Sequence, residues 1–262
     1  MSTWKIKKFS NAKPRNPILI EGLPGIGNVG KITVDFLIDE IGAKKIYEIT
    51  SYTLPHSVFI NEKNLVELPK IEIYHKESKG KKNDFLFLAG DIQPADEVSC
   101  YEFSKEIIDL CKKHDCKDII TLGGIGLMEV PKKPKVYCTG NTKKAVDKYN
   151  DKTIYTKLYG VVGPIVGVSG LLLGMAEKDM KAIALLAETY GHPMYLGVKG
   201  AKELLKFLNK RFKFSIKIEK LDKEMKEIEE ETIKRSEELA NISKDTAAKK
   251  LKGKIGEMNY IG

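Results

Sequence analysis

The sequence predicts an α/β protein: a mostly parallel mixed sheet with helices on both faces, followed by a C-terminal helical segment. Three observations carry this. Continuous apolar runs at 18–21, 85–90 and 118–122 have the composition of strands buried on both faces. Segments with helical apolar spacing separate them, so strands and helices alternate. Glycine clusters punctuate the joins, at 22–30, 123–126 and 163–170. The length of 262 residues, 42% of them apolar and 31% charged, suits one large domain or one domain plus an appendage, and excludes wholesale disorder.

The elements follow in order. Residues 18–21 form the first buried strand, after Pro14 and Pro17. Ile32, Val34, Phe36, Leu37 and Ile41 keep helical spacing until Gly42 stops the helix. Residues 45–50 are a second strand. Residues 58–60, 65–68 and 71–75 read as strands of a meander, with Pro55 and Pro69 as punctuation and 76–83 as a lysine-rich turn. This long stretch without clean helices predicts an antiparallel excursion. The strand at 85–90 follows, then a helix over 95–114 through Val98, Phe103, Ile107, Ile108 and Leu110. A strand at 118–122 ends in Gly123-Gly124-Ile125-Gly126. Residues 135–139 are a strand and 141–149 a short helix. A helix at 171–176 opens at Ser169-Gly170, 181–186 is a strand, and 201–212 is an amphipathic helix through Leu204, Leu205, Phe207 and Leu208.

The composition changes after Phe214. Ile218, Leu221, Met225, Ile228, Thr232, Arg235, Leu239 and Ile242 alternate spacings of three and four, a heptad stripe with a polar middle. It fits equally a helix packed on its own domain and one that contacts another molecule. The weakly patterned end reads as a tether. The expected division is a core over 1–214 and a helix with tail over 215–262.

The formal charge is +9, which raises nucleic acid as a partner. Only three of the 45 basic residues are arginine (Arg15, Arg211, Arg235), the residue that supplies bidentate base and phosphate contacts. Residues 217–250 carry nine basic and ten acidic residues, so the excess is lysine spread over the core. A solvated lysine-rich surface is the better reading, and no nucleic-acid partner is expected. No run approaches the roughly 18–20 apolar residues of a membrane helix, and the basic N-terminus lacks the apolar stretch of a signal peptide. A cytoplasmic protein without a membrane partner is expected. Cys100, Cys111, Cys116 and Cys138 form no CxxC pair and the four histidines are scattered, so metal spacing is lacking and reduced, packed thiols are expected.

Gly25-Ile26-Gly27-Asn28-Val29-Gly30 is a formal GxGxxG between a strand and a helix, where a dinucleotide pyrophosphate would meet free N–H groups. The acid expected on the next strand has only Glu48 as a loose candidate. The same residues with Lys31 nearly spell a P-loop, but Ile32 stands where a magnesium-binding Ser or Thr belongs. Pro24 also removes a donor from the loop. A tight strand-to-helix turn leads over nucleotide binding, and no cofactor is expected. Ser169 lacks the G-x-S-x-G elbow of a hydrolase nucleophile, with no histidine or acid assignable to it, and His192-Pro193 reads as a loop histidine. No catalytic constellation is complete, so no catalytic residue is assigned.

Four segments in order carry a resemblance: Ile20-Glu21-Gly22-Leu23-Pro24-Gly25-Ile26-Gly27-Asn28-Val29-Gly30, Leu88-Ala89-Gly90-Asp91-Ile92-Gln93-Pro94, Leu122-Gly123-Gly124-Ile125-Gly126, and Gly167-Val168-Ser169-Gly170-Leu171-Leu172-Leu173-Gly174. Together they resemble the archaeal homologues of the proteasome assembly chaperones, over roughly 17–208. The resemblance implies a three-layer α/β/α core similar to the phosphorylase/hydrolase-like fold, without catalytic residues. It also implies a homo-oligomer that engages core proteasome α-subunits without ATP, as an assembly or capping scaffold. The family's C-terminal tail, a hydrophobic residue, Tyr and a last residue, maps here onto Tyr260, Ile261 and Gly262. Tyr260 stands third from the end rather than second, and polar Asn259 precedes it. The alternative is an enzyme or binding protein for a nucleoside-like or phosphorylated small molecule at the glycine-rich sheet edge.

Overall fold

A computed structural model describes residues 3–61, 63–78, 80, 83–158 and 163–223. The chain divides into two units, Met1–Ile216 and Lys217–Gly262. In the second, a helix starts at Glu219, and the heptad stripe from Met225 onward, with Tyr260, Ile261 and Gly262, lies outside the described residues.

The first unit is built on β1 (Trp4–Lys8), β2 (Ile18–Gly22), α1 (Val29–Ile41), β3 (Lys44–Ser51), β4 (Phe59–Ile60), β5 (Val66–Glu67), β6 (Ile71–Lys76) and β7 (Phe85–Gly90). It continues with α2 (Glu97–Lys113), β8 (Asp118–Leu127), β9 (Val136–Gly140), α3 (Lys143–Tyr149), β10 (Ile154–Tyr155), α4 (Val168–Met175), β11 (Lys181–Tyr190) and α5 (Val198–Phe212). Among the described residues nine strands form one sheet in the order β1-β3-β6-β7-β2-β8-β11-β9-β10, and β4 pairs with β5 apart from it.

The four central strands, β7, β2, β8 and β11, are parallel. On one side β6, β3 and β1 add three antiparallel pairings, and on the other β9 pairs antiparallel to β11. With β9–β10 parallel, the pairings divide four and four. The expected mostly parallel sheet is therefore corrected: the parallel part is the centre alone. The reason is local. A parallel neighbour needs a crossover of a dozen residues or more. Between β6 and β7 the chain has only the short lysine-rich turn, and β1 and β3 enter from the rim.

Pleating divides the central strands between two buried faces. Leu19, Leu86, Leu88, Ile119, Ala182, Ala184 and Leu186 share one apolar cluster with Phe103 and Ile107 of α2 and Leu172 of α4. Their neighbours in sequence, Ile18, Ile20, Phe85, Phe87, Ile120, Ile183 and Leu185, point the other way and are equally buried. On that face α1 packs on β2, β7 and β8, and α5 on β11 and α1. Helices thus cover both faces, as expected. Gly42 ends α1 in the left-handed region, its N–H bonded to Asp39 O, the conformation that makes glycine a helix stop. Asp96 caps α2 by accepting from Ser99 N.

Several boundaries move. β1 was not expected; its lysines dilute the alternation of buried Trp4 and half-buried Ile6. The two-residue β10 was also missed. Gly123, Gly124 and Gly126, read as a loop after the strand, lie inside β8, which runs on to Leu127 alongside an equally extended β11. Gly124 explains this: a Cβ there would sit 2.3 Å from Ile26 O, so its bare backbone admits the 3-10 turn Ile26–Asn28 against the strand. All four cysteines are free and buried.

Candidate functional site

In open α/β sheets, ligands bind beyond the carboxyl ends of the parallel strands. There the structure has a cavity of about 1000 Å³, walled by the β2–α1 loop, the segment after β7, the second half of β8 and the approach to α4. Of the residues singled out in the sequence, Pro24, Gly25, Gly30, Gln93, Pro94, Gly123, Gly124, Gly126, Gly167, Ser169 and Gly170 line it. Gly22, Gly27, Asn28 and Gly90 do not. Gly22 ends β2 beneath α1, where a Cβ would meet Gly30 O at 2.3 Å. Gly90 ends β7, and Gly27 and Asn28 form the 3-10 turn with positive φ.

A set of hydrogen bonds ties the separate motifs together. Glu21 near the end of β2 is wholly buried. Its Oε1 accepts from Leu23 N at 3.0 Å and its Oε2 from Ser169 Oγ at 2.9 Å. Gln93 Nε2 donates to Pro24 O at 2.6 Å, and Gln93 Oε1 accepts from Val168 N at 3.4 Å. Gln93 therefore does for α4 what its N-cap Gly167 has no side chain to do. Lys31 Nζ donates to Gly90 O at 3.1 Å and pairs with Asp35 at 2.9 Å. The β2–α1 loop, the segment after β7 and the first turn of α4 are thus one polar lattice.

Burial dominates the electrostatics. Desolvation raises the Glu21 carboxyl to about 7, against the lowering effect of its bonds from Leu23 N and Ser169. Thr121 lies opposite Glu21 on β8, and its buried hydroxyl has no hydrogen-bond partner among the described residues. The Asp35 carboxyl is also raised by burial, with Lys31 pulling it back.

The nucleotide fingerprints can be tested on this geometry. The lysine of the near P-loop is spent on Gly90 O and Asp35. Glu48 lies on β3, separated from β2 in the sheet by β6 and β7, and pairs with Lys45 at 3.1 Å. It is not the acid of a ribose site. Ser169 does have an acid, Glu21, which sequence reasoning had not assigned to it. The carboxyl touches the serine directly, and His192 is exposed and stacked on Tyr190. Among the described residues no group of three or more His, Cys, Asp or Glu is placed to hold a metal ion.

A second surface is built by the excursion between β3 and β6. Asn61 closes the β4–β5 hairpin: its Oδ1 accepts from Lys63 N and Leu65 N, and its N–H bonds to Leu65 O. The hairpin's apolar side chains stay in solvent. Ile60, Leu65, Val66 and Leu68 are each 60% exposed or more, and Tyr52 beside them is 93% exposed. A hollow of about 580 Å³ lies alongside, bounded by Tyr52, Leu54, Pro55, Val58 and Leu68.

The profile of the PAC2 family matches residues 19–235, the span that holds every motif loop of the site. The chain belongs to the PAC2 family. The likeness extends to structure. Pyrococcus furiosus PbaB, described as an archaeal proteasome activator, superposes with a TM-score of 0.80 at 31% identity, over 89% of this chain and 99% of that one. Pyrococcus furiosus PbaA, described as an archaeal homolog of proteasome-assembly chaperone, gives 0.71 at 26% identity, over 98% and 100%. An uncharacterized protein of Methanocaldococcus jannaschii is 30% identical over 236 residues, 88% of this chain and 89% of that one. Among the described residues no helix is long and apolar enough to cross a membrane.

Glu21, Thr121 and Lys31 support the candidate site from beneath, and the sequence reading did not single them out for it. For Glu21 a signal existed: a carboxylate closing an apolar strand run, one residue before the glycine turn. Lys31 was noted only as part of a motif it does not complete. Thr121 carries no pattern that sets it apart from any strand threonine.

Proposed function

We propose that this PAC2 protein is a non-enzymatic, ATP-independent, chaperone-like scaffold. It binds the core proteasome through its α-subunits and assists assembly or capping. One observation carries the reading: a likeness over 89% of this chain to a protein described as a proteasome activator, at 31% identity and a TM-score of 0.80. In this reading the layers are α/β/α, similar to the phosphorylase/hydrolase-like fold. The core over 1–214 is the scaffold and 215–262 the reach toward the partner. Tyr260, Ile261 and Gly262 contribute the terminal contact, a short peptide whose effective concentration a tether raises. The protein works in the cytoplasm as a homo-oligomer. The exposed apolar hairpin supports self-association, because monomers rarely leave such a contiguous patch in water.

The test is affinity capture of purified archaeal core proteasome by the tagged full chain, with and without residues 260–262. The full chain is expected to retain α-subunits without ATP, and the truncated chain to lose most of that retention. Equal retention by both chains removes the tail from the account. No retention by either removes the function.

A further inference from the structure

We propose that the glycine-walled cavity binds a small organic amine with an apolar body, and not a phosphorylated molecule. The inference is independent of proteasome binding. The cavity's volume of about 1000 Å³ is at the upper end of the roughly 300–1,000 Å³ of small-molecule sites. Leu23, Ile26, Ile125, Ile165 and Leu171 give it apolar walls.

Its polar groups present mostly acceptors. Ser169 gives its proton to Glu21 Oε2, so its lone pairs are what remain for the cavity. One N–H of Gln93 is spent on Pro24 O. Asp96 and Glu97 add two carboxylates to the lining. No lysine or arginine lines the cavity among the described residues. Three helix starts open here, and two of them already carry a protein oxygen on a first-turn N–H. Gln93 Oε1 takes the Val168 N–H of α4, and Asp96 Oδ1 takes the Ser99 N–H of α2. A phosphate would meet two carboxylates and, among the described residues, no lysine or arginine to balance its charge. A protonated amine would meet acceptors on several sides, with apolar walls for the rest of the molecule.

Tryptamine and indole-3-acetate share one ring system and differ in the sign of their charge, which makes them the probes. Isothermal titration of the full chain is expected to show saturable binding of tryptamine, with indole-3-acetate and adenosine 5′-phosphate failing to bind or compete. Gly25→Phe is the blocking variant: Gly25 lines the cavity, a Cβ there meets nothing within 4 Å, and its φ of −161° is extended, so a bulky ring is carried at the cavity's edge without backbone strain. It is expected to weaken tryptamine by about tenfold or more. Asp96→Asn/Glu97→Gln is the charge variant, since asparagine keeps the α2 cap. It is expected to weaken tryptamine and admit indole-3-acetate. The proposal is overturned by absent tryptamine binding, by equal binding of the anions to the wild-type chain, or by charge-variant affinities unchanged for both indoles. Unchanged tryptamine affinity in a Gly25→Phe chain with wild-type circular dichroism overturns it as well.

Discussion

At the residue scale the site turns on Glu21. Its folded-state value, about 7, lies above the ordinary 4.5 because burial penalises the charged form. The folded chain therefore keeps a proton that the unfolded chain has lost. Glu21's contribution is most favourable below about pH 4.5, falls as pH rises to about 7, and is flat above that. The shift corresponds to about 3 kcal/mol. Glu21→Gln is expected to flatten this fall, so that denaturant midpoints of wild type and variant diverge between pH 5 and pH 8, with the variant gaining at the higher pH. Ser169→Ala removes a donor to a buried carboxyl. It is expected to cost about 1–3 kcal/mol at pH 8, read by the same titration, and less at pH 5, where the protonated carboxyl needs the bond less. The apolar run around Glu21 was legible in the sequence, and so was the turn after it. Its partner was not: Ser169 is 148 positions away and only the stacking of α4 on the sheet brings the two together.

At the element scale, the glycines divide by what they touch rather than by the motif they spell. A Cβ on Gly30 would sit 2.3 Å from Leu122 O, so Gly30 is what lets α1 lie against β8. Gly30→Ala is expected to destabilise the chain by about 1–3 kcal/mol, or more if the helix cannot shift. Gly25→Ala, with extended φ and open space at its Cβ, is expected to be near neutral. Comparing their melting temperatures checks both. Apolar runs gave the central strands correctly because strands buried on both faces need little else to be recognised. The glycine run of β8 misled because glycine's turn preference was overridden by close backbone approach, which periodicity does not encode. The edge strand β1 was hidden by Lys5, Lys7 and Lys8, the charges that keep an edge from pairing with another chain.

At the scale of the whole molecule, two surfaces compete for attention: the cavity at the strand ends and the apolar hairpin between β3 and β6. Eleven of the residues singled out in the sequence line the first, while the second leaves Ile60, Leu65, Val66 and Leu68 largely in water. The order of the motifs and the resemblance they carry were legible in the sequence. The hairpin's exposure was not, since Phe59, Ile60, Val66 and Leu68 look like core residues until the sheet passes them by. Ile60→Asp/Val66→Lys is expected to reduce the mass of the proposed homo-oligomer in light scattering while leaving the circular dichroism of the core unchanged. An unchanged mass would remove the hairpin from the proposed self-association. Sedimentation velocity of the full chain mixed with purified archaeal core proteasome, without nucleotide, decides whether the chain acts by binding the core proteasome. The chain is expected to co-sediment with the proteasome in a saturable way; a chain that sediments alone at every proteasome concentration would rule that binding out.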